Sequence, residues 1–215
     1  MKNQSTIQAA IMMFLLLIMS VPSHSQSSHV ALLLNTANSN LNYGDMNSSL
    51  QSFKKDVRGL RAGLSWQAGV TQRFSIVTEA YFAKKGGTLK SGNPLTGVES
   101  SLHLYTVEVP VLARVHAGRF YFNAGPYVSY IFSGKRTSET EASQALSFGQ
   151  GPDAFRKWEA GVQGGVGYEF SIKKKRLALD LRYNHGLTSF SRNQDLYNRT
   201  LNISISVLRT WKKKS

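Results

Sequence analysis

Cysteine is absent from this chain of 215 residues. Its absence excludes a disulfide-stapled fold, thiolate catalysis and a metal site built on cysteine. Long hydrophobic runs are absent as well. The apolar stretch at residues 11–19 is shorter than the roughly 20 residues that a membrane-spanning helix needs, and no apolar helix follows it.

Acidic residues are scarce, since 12 aspartates and glutamates face 26 lysines and arginines and leave a formal net charge of +14. Such a balance commonly indicates nucleic-acid binding. The N-terminus argues against that partner because it has the features of an export signal: Lys2 is positive, an apolar core follows, and Ser23 and Ser25 are small residues at the cleavage positions. We predict a cleaved signal peptide at residues 1–25, one domain over residues 26–215, and no nucleic-acid partner.

Apolar and polar residues alternate with a period of two in most of the remaining chain. Between residues 58 and 70, Leu60, Leu64 and Trp66 share one face, while the opposite face carries polar side chains and glycine. A period of two specifies a strand with one apolar face. The pattern recurs near residues 29–41, 74–82, 105–115, 120–132, 158–170, 177–183 and 201–211. The first of these is the weakest, because Leu33 interrupts its alternation.

Pro110 and Pro126 lie within strands and cannot donate ladder hydrogen bonds, so we expect local bulges there.

The connectors between these eight segments alternate in length. Short ones fall near residues 71–73, 116–119 and 172–175, and long ones near residues 42–57, 85–100, 134–154 and 187–198. Each segment has roughly the 9–11 residues with which a tilted strand crosses a bilayer. An even number of strands with short turns at one end and long loops at the other is typical of bacterial outer-membrane proteins. We predict an all-β fold, an eight-stranded antiparallel up-and-down transmembrane β-barrel. The alternative is a soluble lipocalin-like barrel with its apolar face inward.

Aromatic residues gather at both ends of the segments. One set, beside the short turns, comprises Phe74, Phe120, Phe122, Tyr168, Phe170 and Trp211; the other, beside the long loops, comprises Phe82, Tyr105, Tyr130, Phe132 and Trp158. Membrane barrels carry two such girdles at head-group level. The core of a β-sandwich would not sort its aromatic residues to the strand ends, so the distribution favours the membrane barrel.

Four segments of the chain resemble a known family. Residues 108–111, 124–130, 159–170 and 182–187 are similar to the PorT-like outer-membrane β-barrel family, whose eight-stranded members are often labelled porin-family. The resemblance covers roughly residues 55–211 and implies an outer-membrane location. Some members assist a secretion apparatus and many have no assigned role, so the resemblance implies a location more firmly than an activity. The chain departs from the family at its end, where Trp211 is followed by three lysines and a serine.

Charged residues on the polar strand face form the candidate lumen set. They are Arg61, Glu79, Glu108, Arg114, Glu159, Asp180 and Arg182. The interior of an eight-stranded barrel is just wide enough to be filled by side chains, and a buried charge needs a partner. We therefore predict a salt-bridged plug and a closed lumen. A carboxylate pair or a proton path is the functional alternative.

A second group of charges gathers at the short-turn end, which faces the periplasm in barrels of this kind. We define the periplasmic basic cluster as Lys173, Lys174, Lys175, Arg176, Lys212, Lys213 and Lys214. Long cationic side chains there can reach anionic lipid head groups. The alternative is a surface that binds a periplasmic or secretion-system protein.

The sequence contains little that indicates catalysis. No two of His103, His116 and His185 share a strand face at metal-ligand spacing, so we predict no metal, cofactor or catalytic residue. His185, with Ser189 and Ser191 nearby, is the one candidate for a lipid-modifying enzyme. A narrow pore is the other alternative. We expect a non-enzymatic monomer in contact with outer-membrane lipids, acting structurally or as an interaction or secretion-accessory protein through its loops or basic turns.

Overall fold

The computed structural model describes residues 28–151, 153–172 and 175–211; the signal peptide predicted at residues 1–25 lies outside them. No helix in these ranges is long and apolar enough to cross a membrane. Two short 3-10 helices, Gly44–Asn47 and Gln51–Phe53, lie in the first loop. The strands of the described chain are β1 (Ser28–Asn42), β2 (Lys54–Gly69), β3 (Phe74–Leu89), β4 (Ser100–Ala117), β5 (Phe120–Ser138), β6 (Gln144–Ala145), β7 (Trp158–Ile172), β8 (Lys175–Gly186) and β9 (Tyr197–Trp211).

Eight of these strands form a closed barrel. Each of β1–β5 and β7–β9 pairs in antiparallel fashion with its neighbours along the chain, and β1 pairs with β9 to close the sheet. The closing register runs without a break from Ser28 opposite Trp211 to Asn42 opposite Tyr197. The two-residue β6 pairs only with the outer end of β5. The predicted eight-stranded up-and-down barrel is confirmed.

Side-chain exposure follows residue parity along the wall. In β1, Leu32 and Leu34 are 60% and 63% exposed on the outer surface, whereas Leu33 between them is 3% exposed and lies in the lumen. The strand therefore alternates in the normal way, and Leu33 is one apolar member of a mostly polar interior. In β2, Leu64 is exposed and Ser65 is buried. The apolar face is outside, which rules out the lipocalin-like alternative.

The aromatic residues of the two girdles meet across strands. At the long-loop end, Phe82 and Phe132 pack edge-to-face at 6.4 Å between ring centroids, and Tyr130 packs on Trp158 at 4.9 Å. At the short-turn end, Phe120 packs on Tyr168 at 4.8 Å. The outer surface between these contacts is apolar, as a lipid-facing band requires.

The strands rise further at the long-loop end than the sequence indicates. β3 continues to Leu89 and β5 to Ser138, although we expected loops to begin near residues 85 and 134. The expectation was wrong because the alternation of apolar and polar residues fades where a wall leaves the membrane. Antiparallel pairing continues there without an apolar outer face.

Interruptions of strand register lie away from the prolines. The expected bulges at Pro110 and Pro126 are absent, because the pairing of β4 with β5 and of β5 with β7 keeps one register on both sides of these residues. The register shifts instead between Asp56 and Arg61 in the pairing of β2 with β3, and near Tyr105 in the pairing of β4 with β5.

Leu64 provides a test of the lipid-facing surface. Its side chain is 58% exposed, and it lies opposite Leu32 and Ala80 in the middle of the band. Leu64→Arg should lower the free energy of unfolding in lipid vesicles by about 2–4 kcal/mol, because a charge near the midplane loses its hydration. The matched control is Val115→Arg, which lies in the girdle row beside Phe74 and should cost about 0–1 kcal/mol. Equal costs at the two positions, measured by urea titration, would contradict the midplane depth assigned to Leu64.

Candidate functional site

All seven residues of the candidate lumen set lie inside the barrel. Each side chain is buried, because lumen-facing parity on β2, β3, β4, β7 and β8 directs it inward. They form an outer and an inner group of contacts, where outer means nearer the long loops. The structure thus gathers residues that are widely separated in sequence.

The outer group is organised around the carboxylates of Glu108 and Glu159. The Nζ of Lys85 lies 2.7 Å from Oε1 of Glu108 and 2.8 Å from Oε2 of Glu159, so one ammonium bridges two strands. Arg61 forms a second ion pair with Glu108. The hydroxyl of Tyr127 donates to Oε1 of Glu159 at 2.8 Å. Each carboxylate therefore has a cation and at least one further partner.

The inner group is organised around Arg182. Its Nη1 lies 2.7 Å from Oε2 of Glu79, and its Nη2 lies 2.9 Å from Oδ1 of Asp180. The hydroxyl of Tyr121 donates to Oδ2 of Asp180 at 2.5 Å, and the amide of Asn123 donates to Oδ1 at 3.1 Å. Charge-assisted hydrogen bonds of this kind offset the cost of removing the charges from water.

Arg114 departs from the prediction of a fully salt-bridged plug. Within the described residues it forms no ion pair with a carboxylate. Its Nε donates to Asn123 at 2.7 Å, its Nη1 donates to Gln67 at 2.8 Å, and its guanidinium lies 4.0 Å from the ring centroid of Tyr121. Amide oxygens and an aromatic face take the place of a counter-ion, and Asn123 connects Arg114 to Asp180.

Lys85 is the lumen charge that sequence analysis missed. The predicted set contains three cations and four carboxylates, and Lys85 supplies the fourth cation to the buried charges that the structure describes. It was assigned to a loop because β3 was expected to end before it. Two signals in the sequence could have identified it. Lys85 falls on the same inward-facing side of the strand as Tyr81 and Ala83, and the predicted set lacked one positive charge.

An apolar cluster covers the network at the long-loop end. Its buried members are Leu41, Leu102, Leu104, Ile131, Phe155, Phe190 and Leu196. Phe155 and Phe190 stack with centroids 6.1 Å apart, and the backbone N–H of Arg156 donates to the carbonyl of Phe190 at 2.7 Å. The loops that precede β7 and β9 are thereby joined over the mouth of the barrel.

A cavity of about 530 Å³ lies on this apolar cover. Leu41, Leu102, Phe155 and Leu196 contribute to its lining, together with polar groups such as Tyr43 and Arg136. Burial raises the pKa of Tyr43 to about 12, although nearby Arg136 acts in the opposite direction. The phenol is therefore a neutral hydrogen-bonding group at physiological pH.

Most of the periplasmic basic cluster lies outside the described residues: Lys173, Lys174, Lys212, Lys213 and Lys214 are not among them. The backbone of Lys175 begins β8. The side chain of Arg176 is 46% exposed and its Nη2 lies 2.5 Å from Oε2 of Glu169. A surface ion pair of this kind leaves the guanidinium accessible to other partners.

The histidines do not assemble a site among the described residues. No group of histidine and carboxylate side chains there could hold a metal ion. His185 makes no hydrogen bond to Ser189 or Ser191 in the described chain. The hydroxyl of Ser189 is instead bonded to the carbonyls of Ser191 and Gln194, both at 3.2 Å. His116 lies 3.1 Å from the hydroxyl of Ser75, at the short-turn end of the lumen.

A closed eight-stranded barrel with an apolar outer band and a polar, filled interior defines the class of small outer-membrane barrels. The chain belongs to the outer membrane protein β-barrel domain family, whose model matches residues 24–192, and it is an outer-membrane protein.

The solved structures that are similar to this chain cover most of it but share little sequence identity with it. Ail from Yersinia pestis is 11% identical, over 86% of this chain and 100% of that one, with a TM-score of 0.46. Neisserial surface protein A is 12% identical over 83% and 96%, with a TM-score of 0.46. OprG from Pseudomonas aeruginosa is 10% identical over 87% and 96%, with a TM-score of 0.42. A search of curated proteins finds no significant match.

Lys85 provides a test of the network. Lys85→Met should lower the free energy of unfolding by about 3–5 kcal/mol, because Glu108 and Glu159 lose their shared cation and stay buried. Lys90→Met is the control: this side chain follows β3 and is exposed, so the change should be within about 0.5 kcal/mol. Urea titration in lipid vesicles measures both. A similar loss in the two variants would mean that the bridge contributes nothing specific.

Proposed function

We propose that this protein is a non-enzymatic, non-conducting barrel that acts structurally or as an interaction protein, through the surfaces at its two ends. The observation that carries the proposal is the filled lumen. Among the described residues, four buried cations and four buried carboxylates occupy the interior, and an apolar cluster lies over them at the loop end. Neither layer resembles a water-filled path.

The two layers oppose conduction in different ways. An ion entering from the periplasm meets a network in which each carboxylate already has a cationic partner, as Glu108 has Arg61 and Lys85. An ion entering from outside meets buried leucine and phenylalanine side chains, which do not replace its hydration shell. This arrangement argues against the narrow pore considered from the sequence.

The lipid-modifying enzyme has less support than the interaction protein. Such chemistry needs a histidine that activates a hydroxyl or acts beside a carboxylate. His185 makes no hydrogen bond to Ser189 in the described chain, and the serine hydroxyl is occupied by backbone carbonyls. Non-enzymatic function at the ends of the barrel is the simpler interpretation.

Of the two ends, we favour the periplasmic face as the protein-binding surface. Arg73 and Arg119 are exposed at the short turns, and Arg176 remains half-exposed beside Glu169. The sequence adds the lysines of the periplasmic basic cluster near the same turns, and we expect a cationic surface denser than lipid anchoring needs. The resemblance to the PorT-like family supports a secretion-accessory role, with an acidic periplasmic protein as the partner.

Conductance tests the closed lumen. The purified protein in planar bilayers should give no steady single-channel currents, because side chains fill the interior of a barrel of this size. A sixteen-stranded porin added to the same bilayer verifies that the assay detects open barrels. Steady currents from the unmodified chain would refute the plug.

Co-purification tests the periplasmic surface. Replacing Lys173, Lys174, Lys175, Lys212, Lys213 and Lys214 with glutamine should leave a folded, heat-modifiable barrel and reduce recovery of its periplasmic partner from native membranes. The control replaces three lysines of the loop end, Lys90, Lys135 and Lys157, which should leave recovery unchanged. If the periplasmic variant recovers the same proteins as the wild type, the basic turns serve only as lipid anchors.

A further inference from the structure

The wall of the barrel has a defect between β2 and β3. The pairing of β2 with β3 stops at Asp56 opposite Gly87. It resumes at Arg61 opposite Ala83, with the register shifted by one residue. Gly59 lies within this gap, and a Cβ at that position would collide with the carbonyl oxygen of Lys84, so only glycine allows the strands to approach there. An interrupted ladder leaves backbone donors and acceptors that need other partners.

The inner side of the defect is closed by Ser39 of β1. The backbone N–H of Gly86 donates to Oγ of Ser39 at 2.9 Å, and the same hydroxyl donates to the carbonyl of Val57 at 3.1 Å. One buried side chain thus connects β3 to β2 across the gap from within the lumen. The outer side has no equivalent bridge among the hydrogen bonds of the described residues.

The outer side of the defect is a notch of about 590 Å³ in the wall. Its lining comprises Thr36, Ala37, Asn38, Arg58, Gly59, Leu60 and Lys84. Arg58 is exposed and Lys84 is half-buried, and neither forms an ion pair with a carboxylate in the described part of the chain. Two cations therefore line one cavity without a counter-ion among the residues that the structure describes.

The surroundings of the notch add to its positive charge. A second cavity of about 320 Å³ adjoins it at Asn38, and Lys54 and Arg199 contribute to its lining. The single carboxylate in that lining, Asp56, accepts a hydrogen bond at 2.6 Å from the amide of Asn40. The linings of the two cavities together contain four cationic side chains and one carboxylate.

The depth of the notch identifies its environment. Lys84 lies two residues beyond Phe82, which belongs to the girdle at the long-loop end, so the notch is at the head-group level of the outer leaflet. Leu60 within the notch is 75% exposed, and the apolar band begins directly below it. A molecule that fits this position has an anionic head and an apolar tail.

We propose that the notch binds the phosphorylated head group of an outer-leaflet lipid. Arg58 and Lys84 bind phosphate oxygens, for which a guanidinium and an ammonium are the preferred partners. Asn38 and Thr36 supply hydrogen bonds to other head-group oxygens, and Leu60 contacts the first segment of an acyl chain. This inference is independent of the proposed function, because it concerns the outer wall and neither the lumen nor the periplasmic turns.

Lipid binding tests the assignment. The wild-type barrel, purified in detergent, should retain bisphosphorylated lipid A in native mass spectrometry and should bind the fully dephosphorylated lipid at least tenfold more weakly. The double variant Arg58→Gln with Lys84→Gln should lose at least tenfold in affinity for the phosphorylated lipid. The matched control, Lys90→Gln with Lys135→Gln, removes two cations of the loop end outside the notch and should bind as the wild type does.

Further arms separate the remaining explanations. The charge-conserving variant Arg58→Lys with Lys84→Arg should restore binding, which distinguishes lost charge from a misfolded wall. Inorganic phosphate at the concentration of the lipid should not displace it, because the acyl contact is missing. Equal binding of the dephosphorylated lipid, wild-type affinity in the glutamine double variant, or displacement by inorganic phosphate would each overturn the proposal.

Discussion

The pairing of β1 with β9 is the constraint on which the rest of this structure depends. In the hydrocarbon layer no water is available to backbone N–H and C=O groups, so a sheet can cross only when it has no free edge. The unbroken register from Ser28 opposite Trp211 to Asn42 opposite Tyr197 supplies that closure. The closed sheet has eight strands, and a barrel of that size has a lumen that side chains can fill. The interior chemistry is therefore a consequence of how the wall is closed.

A filled lumen in turn requires balanced charge. Four cations and four carboxylates are buried in the described barrel, and Lys85 is the group that connects two of the carboxylates across strands. Arg114 shows a different solution, since amide oxygens and the face of Tyr121 surround it. Such a network favours one arrangement of the strands that carry its ion pairs, because a shift of β2, β3, β4, β7 or β8 would separate a buried charge from its partner. The apolar cover formed around Phe155 and Phe190 then separates the network from the outside.

The inner and outer faces of the wall have different physical roles, and the β2–β3 defect affects both of them. Inside the barrel, Ser39 replaces the missing ladder contacts with its own hydroxyl. On the outside, Arg58 and Lys84 surround a cavity at the boundary between lipid chains and head groups. A regular ladder there would have offered an ordinary smooth surface. The defect is therefore both a structural cost that Ser39 offsets and a place where a ligand can contact the wall.

The sequence by itself determined the barrel, the outward direction of its apolar face and the inward position of seven charges, because parity along an extended strand is a local property. Leu64 against Ser65 illustrates it: neighbouring residues must face opposite sides whatever the rest of the chain does. Only the tertiary structure decided the partners. Glu79 and Arg182 are 103 residues apart, and their contact depends on the stagger of every strand between them. It also decided how far β3 extends: beyond Phe82 the outer face is no longer apolar, so the sequence pattern alone did not show that the inward parity of Tyr81 and Ala83 continues to Lys85.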